Sequence, residues 1–223
     1  MKSRFYNEGH HEHVATAIRA YINSLDSFLA PSTIRSPRAV GDELESLVSD
    51  RFESLLGNWC KEYSAVFSRR AMADLAFTDI DDVYSVIDVK THREDTRFNM
   101  PNLTSVERLA RFYESDTNVF SLILIKYFVD GTNIEVSNVL FTPIEFIDWQ
   151  CLTVGALGWG QIQIANSNNI LVEQQYSRRE WMLQLCDVMM AFYPREVVKI
   201  GERIQRFEGV KEYWENRGDP WAQ

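Results

Sequence analysis

The stretch DDVYSVIDVK, residues 81–90, decides how the chain is read. Val83, Ser85, Ile87 and Val89 alternate with Tyr84, Val86, Asp88 and Lys90. An alternation of two is the period of a β-strand, whose successive side chains point to opposite faces. One face therefore carries Asp88 and Lys90 beside Tyr84 and Val86. A face used only for packing needs neither charge, because burying a carboxylate and an ammonium is costly unless they are paired and hydrogen-bonded. After the polar run THREDTRFN comes MPNLTSVERLARFYES, residues 100–115. There Pro101 sets the start of a helix, Thr104 or Ser105 can cap it, Glu107 sits in its first turn, and Val106, Leu109, Ala110 and Tyr113 form its apolar stripe. A strand thus feeds a helix.

Working outward, Val14, Ile18, Tyr21, Ile22, Leu25 and Leu29 predict a helix from about His13 to Leu29, followed by a loop at Pro31, Ser32, Ser36 and Pro37. A longer helix is predicted from about Asp42 to Tyr63, with Leu44, Leu47, Val48, Phe52, Leu55, Leu56 and Trp59 buried and Glu45 at the edge of the stripe. Strands are expected at Phe120–Phe128, Ile134–Phe141, Cys151–Val154 and Gln161–Ile164. Ser177 and Glu180 form a capping box ahead of a helix to about Phe192, with Tyr176 and Trp181 placed to staple it. Pro194 suits the first turn of a separate last helix bearing Val197, Val198, Ile200, Ile204 and Phe207. Helices before and after a central apolar sheet predict an α/β (α+β) layered domain, a mixed β-sheet flanked by helices.

The chain of 223 residues sets 23 Lys plus Arg against 32 Asp plus Glu, a formal charge of -9. A protein that coats nucleic acid through a uniformly basic surface is excluded, whereas a local cationic cleft is not. No apolar run approaches the length a bilayer span needs, and the first residues lack a signal-peptide core, so a cytoplasmic protein without membrane contact is expected. Cys60, Cys151 and Cys186 form neither a disulfide framework nor a zinc motif. His10, His11 and His13 cluster, but no partner set at ligand spacing follows them; the plain reading is a polar approach to a helix.

Asp88 and Lys90 gain meaning from two further acids. Asp74 lies fourteen residues before Asp88, a spacing that suits a β-hairpin bringing both carboxylates to one end of a sheet. Glu45 on the long helix can reach the same place through water. Carboxylates hold Mg²⁺ through oxygen, and a neighbouring lysine can orient water or offset charge on a phosphate.

In these ordered pieces the sequence resembles the PD-(D/E)xK nuclease superfamily, and within it type II restriction endonucleases of the HincII and EcoRV kind. Asp74 and Asp88-Val89-Lys90 match the family's metal-binding aspartates and catalytic lysine, and Gly41-Asp42-Glu43-Leu44-Glu45 resembles its acidic first helix. Ala73 stands where the family usually has proline. MPNLTSVERLA at 100–110 and GQIQIANSNN at 160–169 with SRREW at 177–181 are similar to its two recognition segments. The likeness covers roughly residues 38–208. It implies a restriction-endonuclease-like core over 38–223, with the helix and loop of 1–37 available for dimerisation. It further implies Mg²⁺ held by Asp74, Asp88 and the Val89 carbonyl, Lys90 positioning water, and Glu45 supporting a second ion or ordered water.

On the same resemblance Asn99 and Asn102 inherit a base-contact or cleft-lining role. Asn side chains pair with adenine N6 and N7, which gives Asn166, Asn168 and Asn169 a use, although such clusters also build turns with their own backbone. Phosphate contacts are expected from among Arg69, Arg70, Arg93, Arg97, Arg178 and Arg179, with Ser177 at a helix start. Cutting both strands of double-stranded DNA at a palindromic site needs two sites about a twofold axis, hence a homodimer. Blunt ends with 5′-phosphate and 3′-hydroxyl groups, and a bacterial cytoplasmic setting, follow from the resemblance. Competing readings are a repair, resolvase-like or mobile-element nuclease of the same superfamily, and a non-enzymatic interaction module in which the charges form a structural network.

Overall fold

The computed structural model describes residues 3–26, 29–30, 32–34, 36–64, 73–96, 100–131, 133–156, 158–165, 170–173 and 177–219. Three helices come first: α1 (Arg4–Asn7), α2 (His10–Asn23) and α3 (Pro37–Leu56). Strands β1 (Cys60–Ser64), β2 (Leu75–Asp79), β3 (Tyr84–Arg93) and β4 (Asn102–Ser105) follow, then α4 (Val106–Phe112). Next are β5 (Asn118–Asp130), β6 (Asn133–Pro143), β7 (Leu152–Gly155) and β8 (Gln161–Ile164), and finally α5 (Arg178–Glu215). The chain forms two compact units, Met1–Trp181 and Met182–Gln223.

The first unit holds a five-stranded sheet in the order β1-β2-β3-β5-β6 and a three-stranded sheet in the order β4-β8-β7. In the larger sheet β3 pairs antiparallel with β2 and parallel with β5, while β5 and β6 form an antiparallel hairpin, so the sheet is mixed. Parallel strands need a crossover, and β4 and α4 supply it between β3 and β5. From Val119 to Ile125 every residue of β5 is buried. Burial of both faces makes a central strand read as an unbroken apolar run.

Helix α2 packs on β6, and α3 packs on β3. Between helices and sheet, Phe5 meets Phe77 with ring centroids 5.3 Å apart, and Phe52 meets Phe77 at 6.0 Å and Phe141 at 5.9 Å. Each buried ring contributes roughly 1.5–3 kcal/mol. The chain's start is tied to the sheet by polar bonds as well. Tyr6 donates its hydroxyl to Ser85 Oγ at 2.9 Å and accepts from Ser121 Oγ at 2.9 Å, bridging β3 and β5. Arg4 forms a paired contact with Asp81. The apolar side of α2, with Val14, Ile18 and Ile22, is buried in this same core, so a dimer contact by residues 1–37 would use the helix's polar outer face.

Several boundaries differ from the sequence expectations. The helix expected from Pro101 begins at Val106, because Asn102–Ser105 pair with β8 as β4. Helix α2 starts at His10, earlier than predicted, and ends at Asn23 rather than near Leu29. Helix α3 starts at Pro37, not Asp42, because Ser36 Oγ accepts the Ala39 N–H at 3.3 Å and proline is at home in a first turn. It stops at Leu56, short of Tyr63, because Gly57 takes φ 56° and ψ -129°, a conformation side chains rarely allow; residues 60–64 then become β1. Finally, the two helices expected around Pro194 are one, α5. Proline forfeits a single backbone bond, to the Met190 carbonyl, while the helical bonds on either side persist. Among the described residues no helix is long and apolar enough to cross a membrane.

Replacing Tyr6 by Phe leaves the buried Ser85 and Ser121 hydroxyls without their shared partner. Denaturant unfolding of Tyr6→Phe should show a loss of about 1–3 kcal/mol, and an unchanged midpoint would mean the bridge is not structural.

Candidate active site

Strand β2 lies against β3 with Leu75 opposite Ile87. One residue earlier, the Asp74 N–H donates to the Ile87 carbonyl at 2.9 Å, and Asp74 Oδ2 accepts the Val89 N–H at 2.7 Å. The hairpin thus brings Asp74 to the strand segment of Asp88, Val89 and Lys90, as the fourteen-residue spacing predicted.

Asp88 is buried, 5% exposed. Lys90 Nζ lies 2.8 Å from each of its oxygens. Only Oδ1 accepts a well-directed hydrogen bond; Oδ2 is buried with no hydrogen-bond partner. Lys90 also donates to the Val89 carbonyl at 3.3 Å. Loss of hydration pushes the Asp88 carboxyl up to about 7; the Lys90 ammonium opposes this, and the charges of Asp74 and Glu45 add to it. An acid held in this way is common at functional sites.

Helix α3 provides the opposite wall. A cleft of about 410 Å³ is lined by Pro37, Arg38, Gly41, Asp42 and Glu45 from α3, by Val89, Lys90 and Thr91 from β3, and by Pro101. Gly41 permits this approach, since a Cβ there would stand 2.8 Å from Thr91 Oγ1. Glu45, one turn further on, shares the cleft with Lys90. The four residues expected to be catalytic are therefore neighbours; the resemblance included Gly41 but not the close approach of helix and strand that it allows.

The expected DNA contacts fare differently. Asn102 is exposed on β4, beside Pro101 of the cleft, and its Oδ1 accepts from Gln163 Nε2 at 2.6 Å across to β8. Ser177 caps α5 through the Glu180 N–H at 3.2 Å. Arg178, expected at phosphate, is engaged inside the chain: it pairs with buried Glu145 at 2.8 Å, lies 4.4 Å from the Tyr113 ring centroid, and donates to the Asp116 carbonyl. Arg93 grips Asp95 through two bonds of 2.6 and 2.7 Å. Arg69, Arg70, Arg97, Asn99, Asn166, Asn168 and Asn169, and the expected staple residue Tyr176, lie outside the described residues.

Sequence reasoning missed Gln163, the partner of Asn102, and Trp159. Trp159 is 72% exposed and lines a second cleft of about 460 Å³ with Thr104, Glu107, Arg108 and Gln161. Period two flagged β8 as a strand, but only pairing with β4 reveals which of its side chains Asn102 meets. Two histidines of the N-terminal cluster pack against neighbouring groups. His11 is buried with Nδ1 3.4 Å from the Phe5 carbonyl, and His10 lies 4.2 Å from the Trp59 ring.

Among the described residues no three His, Cys, Asp or Glu side chains stand close enough to form a complete metal cage. Mg²⁺ does not require one, because it keeps several waters and binds through one or two carboxylates plus substrate phosphate. The unsatisfied Oδ2 of Asp88, with the Asp74 carboxylate and the Val89 carbonyl nearby, is an oxygen-donor set that fits such an ion. No protein-family model matches the chain, and no curated protein matches it.

Two measurements probe this geometry. Alanine favours a helix over glycine by about 1 kcal/mol, yet Gly41→Ala should show none of that gain because its methyl presses on Thr91; adding Thr91→Ala should release it in a double-mutant cycle. For Asp88, the folded acid holds its proton up to about 7 against an ordinary value of 3.8, so its contribution to stability is full below 3.8 and is lost as pH rises through 7. Asp88→Asn should therefore raise the melting temperature at pH ~8 by roughly 1–2 kcal/mol equivalent, with the advantage vanishing toward pH ~4. Mg²⁺ should raise the wild-type melting temperature at the higher pH and leave Asp88→Asn unmoved.

Proposed function

We propose that this chain is a Mg²⁺-dependent type II deoxyribonuclease of the PD-(D/E)xK kind that cuts double-stranded DNA at a palindromic site as a homodimer in the bacterial cytoplasm. One observation carries the proposal: Asp74, Glu45 and the Asp88–Lys90 pair meet where α3 faces β3, with Asp88 Oδ2 buried and unsatisfied. Asp88 Oδ2 has only the ion-pair contact with Lys90 and no directed hydrogen bond, which leaves it lone pairs that a divalent cation can use.

Asp74, Asp88 and the Val89 carbonyl are the oxygens that would hold Mg²⁺, which when bound lowers the pKa of water and offsets charge on the phosphate. Lys90, its ammonium steered by Asp88, orients the attacking water and balances charge gathering on the phosphoryl oxygens. Glu45 holds ordered water on the helix side of the cleft. Attack in line with the leaving 3′-oxygen gives 5′-phosphate and 3′-hydroxyl ends, and two sites related by a twofold axis at the centre of the palindrome give blunt cuts.

Net charge shapes how such an enzyme meets DNA. A dimer carries twice -9, or -18, so it is repelled everywhere except where metal and local arginines compensate. Binding is then dependent on salt and on Mg²⁺, with little non-specific affinity.

Incubation with unmethylated phage DNA and Mg²⁺, followed by mapping of fragment ends, tests class, target and cut position together. Discrete fragments with 5′-phosphates are expected, whereas a smear, or a preference for branched DNA, would favour a structure-selective nuclease of the same superfamily. Lys90→Ala should keep fold and DNA binding while cutting falls by at least about a hundredfold; full Mg²⁺-dependent activity in that variant would rule the mechanism out.

A further inference from the structure

The second unit leaves a long apolar stripe of α5 in the open. Leu183, Met190, Val197, Ile204 and Lys211 recur every seven residues, and Cys186, Tyr193, Ile200, Phe207 and Trp214 recur every seven starting three positions later. Nine of the ten are apolar. Their spacing alternates three and four, a period of 3.5 sustained over more than four heptads, which is the seam of a coiled coil. From Val197 to Trp214 the apolar members are 49–69% exposed. The buried residues of this unit's helix, Leu185, Met189 and Phe192, fall at other positions, and none is buried beyond Phe192.

We infer that this seam is a self-association surface, occupied by the same helix of a second copy lying parallel and in register. The flanking charges argue for that occupant. Arg203 and Glu208 border the groove formed by Ile200, Ile204, Phe207 and Lys211. In a parallel pair, Arg203 of one helix faces Glu208 of the other, twice over by symmetry, through the heptad positions that form interhelical salt bridges. An antiparallel pair centred on this groove would set Arg203 against Arg203 and Glu208 against Glu208. Lys211, the one charged seam residue, lies 3.6 Å from Glu215 of its own helix; a single lysine at such a position fixes register and favours few strands. Pro194 sits beside the seam, outside its core layers. A lipid surface is a poorer match. Residues 195–215 carry five Lys or Arg and five Glu, a neutral balance where membrane-surface helices are rich in basic residues.

The seam uses no residue of the proposed active site, so the two inferences fail separately. A seam-dependent dimer that does not cut leaves this one standing, and a dimer that cuts but is indifferent to the seam substitutions leaves the other. Sedimentation of the full chain over a range of concentrations should show a dimer, and Ile204→Glu with Phe207→Glu should leave a monomer whose folded near-ultraviolet spectrum is unchanged. Arg203→Glu and Glu208→Arg should each weaken dimerisation roughly fivefold, and the two together should restore it. A monomer at every concentration, or a dimer indifferent to the seam substitutions, overturns the inference. So does a double reversal that restores nothing, or a monomer that instead pellets with anionic vesicles through these residues.

Discussion

Strand β3 is hydrogen-bonded along both edges, antiparallel to β2 and parallel to β5, and the candidate site depends on that double pairing. An edge strand would let Asp88 and Lys90 reach water and pair loosely. Held between two neighbours, with Ser85 to Val89 all buried, β3 obliges the Asp88 carboxylate to lose its hydration and obliges Lys90 to compensate for it. The raised pKa of Asp88 and the absence of a directed hydrogen bond at its Oδ2 are two expressions of that burial.

The helices complete the constraint from outside. Phe5, Phe52 and Phe141 press α1 and α3 onto the sheet, while Tyr6 pins the β3–β5 pair from the chain's first turns. Close approach at Gly41 then turns one helix face into the wall of a cleft, with Glu45 opposite Lys90. Phe5 and Tyr6, near the start of the chain, thus help to hold the sheet on which Asp88 and Lys90 stand.

Much of this was legible in order of physical locality. The alternation at 81–90 marked β3, β8 was placed at its observed bounds by its alternation, and the cap residue Ser177 marked the start of α5. Strand β5 was legible as an apolar run, though its ends were not. Boundaries failed where a single backbone conformation decided them. Gly57 ended α3 early, Ser36 and Pro37 began it early, and α5 ran through Pro194. The intrachain partner of Arg178 was illegible, because Glu145 reaches it only where distant segments meet.

By itself the sequence determined the mixed α/β class and the strand that carries Asp88 and Lys90, because each rests on a periodicity that neighbouring residues write directly. Only the tertiary structure decided that Asp74 bonds the Val89 amide, that Glu45 and Lys90 share a cleft, that Asp88 Oδ2 is buried against the Lys90 ammonium, and that α5 runs unbroken through Pro194 with its heptad stripe exposed. These depend on strand register, on the closeness that Gly41 allows, and on the exclusion of water, and all three arise from segments far apart in the chain.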